Sequence, residues 1–176
     1  MAGQLYFAYG SNINLGQMER RCPAARPVCP VILDGYELRF RGNGGGYGVA
    51  TIAPKKGGHV AGLLWELTPA CERALDYYEG YPHLYGKEPV TVRDRGGQPF
   101  TVMAYVMRER YWEPAMPSSS YYSGILEGYR EDGLPVAWLK QAWERTVKEV
   151  HQRTEQVNEQ YTRPAKTPNR RDGHER

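Results

Sequence analysis

Two short segments of the chain combine residue types able to do chemistry on a small molecule. The first is Tyr9-Gly10-Ser11-Asn12, which breaks a short aromatic strand at residues 4 to 8 and leads toward a helix. A helix start leaves orphan N–H donors and a partial positive charge of about half a unit, so successive amides there receive a carboxylate or a developing oxyanion. The second is Asp76-Tyr77-Tyr78-Glu79-Gly80-Tyr81-Pro82-His83-Leu84-Tyr85, in which Glu79 stands at a helix end among four tyrosines. The helix dipole opposes negative charge at that end, and aromatic neighbours strip water from it. Both effects raise the pKa of an inward-facing Glu79, and a carboxylate so raised can serve as general acid and base near neutral pH.

Each segment also has a plainer use. Ser11 or Asn12 acting only as an N-cap is the commoner reason for such a turn, and a glutamate on the last turn of a helix is more often exposed than buried. Spacing alone leaves these alternatives open. Other candidates are weaker. Ser11 as a nucleophile lacks a G-x-S-x-G setting and an identifiable base. The glycine-rich run from Gly42 to Gly48 satisfies neither G-x-G-x-x-G nor G-x-x-x-x-G-K-[ST] and reads as a hairpin loop. His59 and His83 have no Cys or carboxylate at helical or hairpin spacing. The three cysteines form no C-x-x-C pair and the four histidines never fall at ligand spacing with them, which disfavours zinc and a disulfide scaffold.

The elements that must position these residues follow from pattern and punctuation. A chain of 176 residues points to one domain. A helix of roughly two turns should follow Asn12 and end before Pro23. Strands are expected at residues 28 to 33 and 36 to 41, joined by an Asp34-Gly35 turn, and again at 49 to 53 and 59 to 67, joined by a turn at 55 to 58. Thr68 and Pro69 start a helix that stops at Gly80. A third hairpin comprises residues 88 to 93 and 100 to 107. Ser118 caps a further helix with Tyr122, Ile125, Leu126 and Tyr129 on its apolar face. Gly133-Leu134-Pro135 ends it, and a last helix runs from Val136 past Val150, its Trp138 and Trp143 assigned to packing. The sum is an α+β domain over residues 1 to 160. It is expected to be a twisted, largely antiparallel sheet or small barrel of about six strands with three to four surrounding helices. Residues 161 to 176 are expected to form a disordered basic tail.

Composition narrows the partners. Of the net charge of +3, residues 151 to 176 supply +2 through six basic and four acidic groups, so the body offers little to nucleic acid or an anionic membrane. Residues 1 to 7 contain no basic or apolar leader, and no stretch nears the ~18 apolar residues of a membrane span. The expected setting is therefore the cytoplasm. Of 21 aromatic side chains fourteen are Tyr, a type suited to lining a pocket that is apolar yet offers hydroxyls.

The segment Leu5-Tyr6-Phe7-Ala8-Tyr9-Gly10-Ser11-Asn12, followed by Met18 and Arg21-Cys22-Pro23, resembles the opening signature of the γ-glutamylcyclotransferase family, which includes γ-glutamylamine cyclotransferases. Four further matches run in order across about residues 4 to 136: Gly62-Leu63-Leu64-Trp65-Glu66-Leu67, Leu75-Asp76-Tyr77-Tyr78-Glu79-Gly80, Pro117-Ser118-Ser119-Ser120-Tyr121 and Gly133-Leu134-Pro135. Ile13 stands where the family often has Leu or Met, and the basic tail has no counterpart. The resemblance implies that the turn Tyr9, Gly10, Ser11 and Asn12 holds a γ-glutamyl group, that Glu79 is the catalytic acid and base, and that Tyr121 lines the pocket; we add Tyr6 and Tyr85 to the substrate-binding set. It implies a small-molecule γ-glutamyl substrate, cyclised by its own α-amine to 5-oxoproline with no metal and no cofactor. Family members differ in the group attached to the γ-glutamyl unit. A γ-glutamylamine-specific enzyme and a catalytically idle binding module of the same fold stand as alternatives.

Overall fold

The computed structural model describes residues 3–42 and 46–163. Its centre is a closed barrel of five strands in the order β1-β3-β2-β4-β5, formed by β1 (Gln4–Ala8), β2 (Arg26–Gly42), β3 (Gly48–Leu67), β4 (Tyr85–Arg93) and β5 (Pro99–Met107). Neighbours pair antiparallel, except that β5 closes on β1 by a parallel bridge at Tyr6 and Met103. The inward stripe carries Phe7, Phe40, Ile52 and Leu64, all fully buried.

Five strands stand where about six were expected, because two of the expected hairpins are one. Asp34-Gly35 is not a turn. β2 continues through it, and the pairing with β3 shifts between Asp34 and Tyr36. Val31 and Leu33 point into the core before the shift and Leu38 and Phe40 after it, so the side-chain alternation changes parity there, as a bulge requires. Gly35 adopts φ 81°, a left-handed value that side chains disfavour. Nor are residues 55 to 58 a turn. On β3 the partner of Asp34 is His59 and that of Tyr36 is Pro54, so those residues bulge out of a continuous strand. The real connection between β2 and β3 is the glycine-rich loop, of which residues 43 to 45 lie outside the described part. The third hairpin is as expected, its turn closed by Asp94 accepting from the N–H groups of Gly96 and Gln98 at 2.9 and 2.8 Å.

Among the described residues four α-helices surround the barrel: α1 (Leu15–Arg21), α2 (Pro69–Tyr78), α3 (Ser119–Glu131) and α4 (Val136–Thr162). Thr68 caps α2 by accepting from Cys71 N–H, with Pro69 at its first turn, and Ser118 caps α3 by accepting from Tyr121 N–H. The last two residues of α4 fall in the segment expected as tail, and everything after Arg163 lies outside the described residues. No helix among the described residues is long and apolar enough to cross a membrane.

Candidate active site

The turn after β1 forms one wall of the site. Its chain does not pass directly into α1. Ser11–Ile13 form a single 3-10 turn, and the cap of α1 is Asn14, which accepts from Gln17 N–H. Ser11 and Asn12 are thereby released from capping and both are buried. Among the described residues no backbone carbonyl accepts from the N–H groups of Gly10, Ser11 or Asn12, the donors that the first turn of a helix leaves open. Gly10 allows the turn to pack closely: a Cβ there would lie 3.1 Å from Ala50 Cβ and 3.4 Å from the Tyr121 hydroxyl.

Glu79 arrives from the other direction, as the C-cap of α2. Its Oε1 accepts from Asn12 Nδ2 at 3.0 Å, and the same amide donates to the Tyr6 hydroxyl at 3.1 Å. The amide's orientation is fixed from behind. Arg21 donates to Asn12 Oδ1 at 2.6 Å, and a guanidinium has no acceptor, so the oxygen must face Arg21 and the nitrogen Glu79. Asn12 is further tied through its carbonyl, which accepts from Trp65 Nε1 at 3.0 Å. As a residue Glu79 keeps intermediate solvent exposure. Burial nevertheless pushes its carboxyl up to about 7, against the opposing pull of the Arg21 charge and the Asn12 hydrogen bond.

Between these walls lies a cavity of about 180 Å³, below the roughly 300–1,000 Å³ of pockets for drug-sized ligands and suited to a group of amino-acid size. All eight residues singled out in the sequence line it: Tyr6, Tyr9, Gly10, Ser11, Asn12, Glu79, Tyr85 and Tyr121. Burial holds the hydroxyls of Tyr6, Tyr9, Tyr85 and Tyr121 above the ordinary phenol range, so at neutral pH they are hydroxyls and not phenolates. They divide by what they already do. Tyr9 donates to Tyr105 O and Tyr85 to Ala50 O, which uses their protons in the barrel wall. Tyr121 accepts from Ala50 N–H at 3.0 Å and Tyr6 accepts from Asn12, which leaves each a proton to offer the cavity.

Sequence reasoning missed three members of this site. Tyr78 and Tyr105 line the same cavity, and Tyr105 donates to Asp76 at 2.6 Å, itself paired with Lys87 at 2.8 Å. Arg21 reaches the turn from the end of α1, donating to Ser11 Oγ at 3.1 Å and to Gln17 Oε1 at 2.7 Å. The tyrosine-rich composition hinted at the first two. For Arg21 the only signal was its place in the opening motif. Conversely, Tyr77 and Tyr81, which flank Glu79 in sequence, are exposed and Tyr78 is partly so; of the six tyrosines that line the cavity only Tyr78 and Tyr85 come from the local run, and the other four are brought in from elsewhere in the chain.

A barrel whose mouth holds a proton-avid carboxylate, two free hydroxyls and a turn of open amides has the parts that acid–base chemistry on a small molecule requires. The chain belongs to the γ-glutamyl cyclotransferase, AIG2-like family, whose model matches residues 6–123, and that is an enzyme family. It is 34% identical over 142 residues to γ-glutamylcyclotransferase of Homo sapiens, covering 76% of this chain and 74% of that one. It is likewise 34% identical over 139 residues to the Mus musculus enzyme of the same name, covering 74% and 72%. Among solved structures, one named γ-glutamyl cyclotransferase superposes with a TM-score of 0.72 at 30% identity, covering 80% of this chain and 86% of that chain.

Proposed function

We propose that this chain converts γ-glutamyl compounds to 5-oxoproline and a free amine, with Glu79 moving the protons. The observation that carries this reading is a carboxyl held at about 7 at the wall of a cavity sized for an amino acid. The substrate supplies its own nucleophile, since the α-amine of a γ-glutamyl unit can close a five-membered ring on the γ-carbonyl. The protein's tasks are then to hold the folded conformer, take the ammonium proton and receive the oxyanion.

The energetics favour Glu79 for the proton. An α-ammonium titrates near 8 or above and an ordinary glutamate near 4.3, so an unshifted carboxylate would take that proton uphill by about 5 kcal/mol or more. With Glu79 at about 7 the uphill step is smaller by nearly three units, about 4 kcal/mol. The free amine attacks the carbonyl carbon, and the C–N bond to the attached group breaks as the tetrahedral centre collapses. Two protons leave the original ammonium in total, and both end on the departing amine. Glu79 carries them one at a time, alternating as base and acid. The N–H groups of Gly10, Ser11 and Asn12 and the free hydroxyls of Tyr6 and Tyr121 are the donors for the substrate carboxylate and the oxyanion. The three free thiols, Cys22, Cys29 and Cys71, suit a reducing compartment, and we place the reaction in the cytoplasm.

The test follows the oxygen. In ¹⁸O-water the expected product from γ-glutamyl-alanine or a γ-glutamyl-lysine isomer is unlabelled 5-oxoproline, and an N-acetylated substrate should be inert. Labelled glutamate as the main product would mean hydrolysis and would overturn the mechanism. The relative rates of the two substrates identify the preferred leaving group.

A further inference from the structure

Arg21, from a third element, touches both halves of the site. From the last turn of α1 its Nη1 donates to Ser11 Oγ and Asn12 Oδ1 and its Nη2 to Gln17 Oε1, while the guanidinium carbon lies 3.9 Å over the centre of the Tyr78 ring. Tyr78 immediately precedes Glu79, and its hydroxyl lies 3.3 Å from Ser11 Oγ. The turn after β1 and the end of α2 are 67 residues apart in sequence, and Arg21 spans them with a planar fork on one side and a stacked face on the other. A lysine supplies the charge but not that combination.

We infer that Arg21 is a positioning residue for the reaction, clamping the turn to the end of α2 so that Asn12 presents its Nδ2–H, and not its oxygen, to Glu79. Three consequences follow. Without the clamp Asn12 can rotate, and a carbonyl oxygen facing the Glu79 carboxylate would repel it. Tyr78 loses its stacked partner, and with it the end of α2 loses its fixed place against the turn. The charge matters as well as the fork, because Arg21 is the formally charged group that acts on Glu79 most directly. The other titratable groups that face Glu79 are the hydroxyls of Tyr6 and Tyr9 from the β1 end, Tyr85 and Tyr105 from β4 and β5, and Tyr121 from α3, which burial keeps protonated at working pH, together with the hydroxyl of Tyr78 from α2 itself. The ion pair of Asp76 and Lys87 sits one step back, behind Tyr105.

This inference rests on Glu79 as the base, and its experiment separates the two. Arg21→Lys keeps the charge and loses the fork; Arg21→Gln loses both charge and stack. The readouts are kcat, KM, the acid limb of kcat/KM against pH, and the titration of the Glu79 carboxyl carbon by NMR, which needs no turnover. Arg21→Lys should lower kcat by roughly ten- to a hundredfold, the size expected when a reacting group is misplaced by an ångström or less, with the acid limb unmoved. Arg21→Gln should lower kcat as much and shift both the limb and the carboxyl titration upward by about one pH unit, because an opposite charge has been removed from a carboxylate. A residue that merely held the fold together would lower activity only in step with the folded fraction, and cooling would restore it. Such restoration, or a Glu79 titration identical in Arg21→Gln and the parent, overturns the clamp. A parent enzyme whose rate is indifferent to Glu79→Gln overturns the base assignment, while the NMR titration still decides whether Arg21 acts on Glu79.

Discussion

Two helices of this chain end alike. α2 finishes in Glu79-Gly80 and α3 in Asp132-Gly133, and in each the acidic residue is the C-cap. Both carboxyls are pushed up, to about 7 at Glu79 and about 6 at Asp132, with burial as the first cause of each. What surrounds them differs. Glu79 accepts a hydrogen bond from Asn12, shares its wall with free hydroxyls and faces a cavity. Asp132 lies outside that cavity, its Oδ2 is buried without a hydrogen-bond partner among the described residues, and the nearby Glu131 charge adds to its shift. Arg95 approaches the carbonyls of Asp132 and Gly133, at 3.4 Å each, and not the carboxylate. A raised carboxyl is thus cheap to make at a helix end. Chemistry also needs a place for the substrate and donors already aimed at it.

The widest separation between the two acids is expected in turnover. Glu79→Gln keeps the shape and can still pair with Asn12, but it cannot accept a proton. 5-Oxoproline release should fall by about two to four orders of magnitude, the usual worth of a general acid or base, with substrate binding largely kept. Asp132→Asn should leave kcat within about twofold of the parent. Loss of activity in both variants, or in neither, would break the contrast.

The pH profile sharpens the same contrast. Only the ionised form of Glu79 is a base, so log(kcat/KM) should rise with pH and level off above about 7. Asp132→Asn should trace the same curve. If the acid limb moves with Asp132 or lies near 4, the residue that sets it is not Glu79.

Why one acid could be singled out from sequence and the rest of its setting could not is a matter of range. Tyr9 to Asn12 and Glu79 are marked by local rules: a strand broken by turn residues, and an acid at a helix end beside tyrosines. Those rules work on a few consecutive positions. Arg21 stacks on Tyr78, and Tyr105 meets Asp76, only once the chain is folded, and beyond the opening motif and the tyrosine-rich composition the sequence carries no signal for that proximity. The fold shows the same limit. Asp34-Gly35 has the composition of a turn and of a bulge alike, and only the strand pairing on either side decides between them. Of the two effects expected to raise the Glu79 carboxyl, desolvation is the one that does so, and the opposing charge of Arg21 enters from a segment far back in the chain.

The smallest effect expected is on stability, and it is the one in which the two acids should behave alike. A carboxyl whose pKa is higher folded than unfolded binds its proton more tightly in the folded state. Its contribution to stability is therefore complete below the unfolded value, near 4.3 for Glu and 3.9 for Asp, and is lost as pH rises through the folded value. For Glu79, lost between about 4.3 and 7, the ceiling is about 3–4 kcal/mol, and contact with solvent at the cavity mouth reduces it to about half or less. The amide that replaces the carboxyl in Glu79→Gln or Asp132→Asn does not titrate, so neither variant shares this loss. At 2–4 °C per kcal/mol for a chain of this size, the melting temperature of Glu79→Gln relative to the parent should climb by roughly 3–6 °C between pH 4.5 and pH 8. Asp132→Asn should climb too, by less, since its shift is smaller and its window closes near pH 6. Reading the change with pH, and not the absolute difference at one pH, cancels whatever the new amide gains or loses in packing. A flat difference for Glu79→Gln would mean its carboxyl is not raised in the folded protein, and proton transfer to it from the substrate ammonium would remain steeply uphill. A flat difference for Asp132→Asn alone would mean that water reaches Oδ2, leaving Glu79 as the only strained acid of the pair.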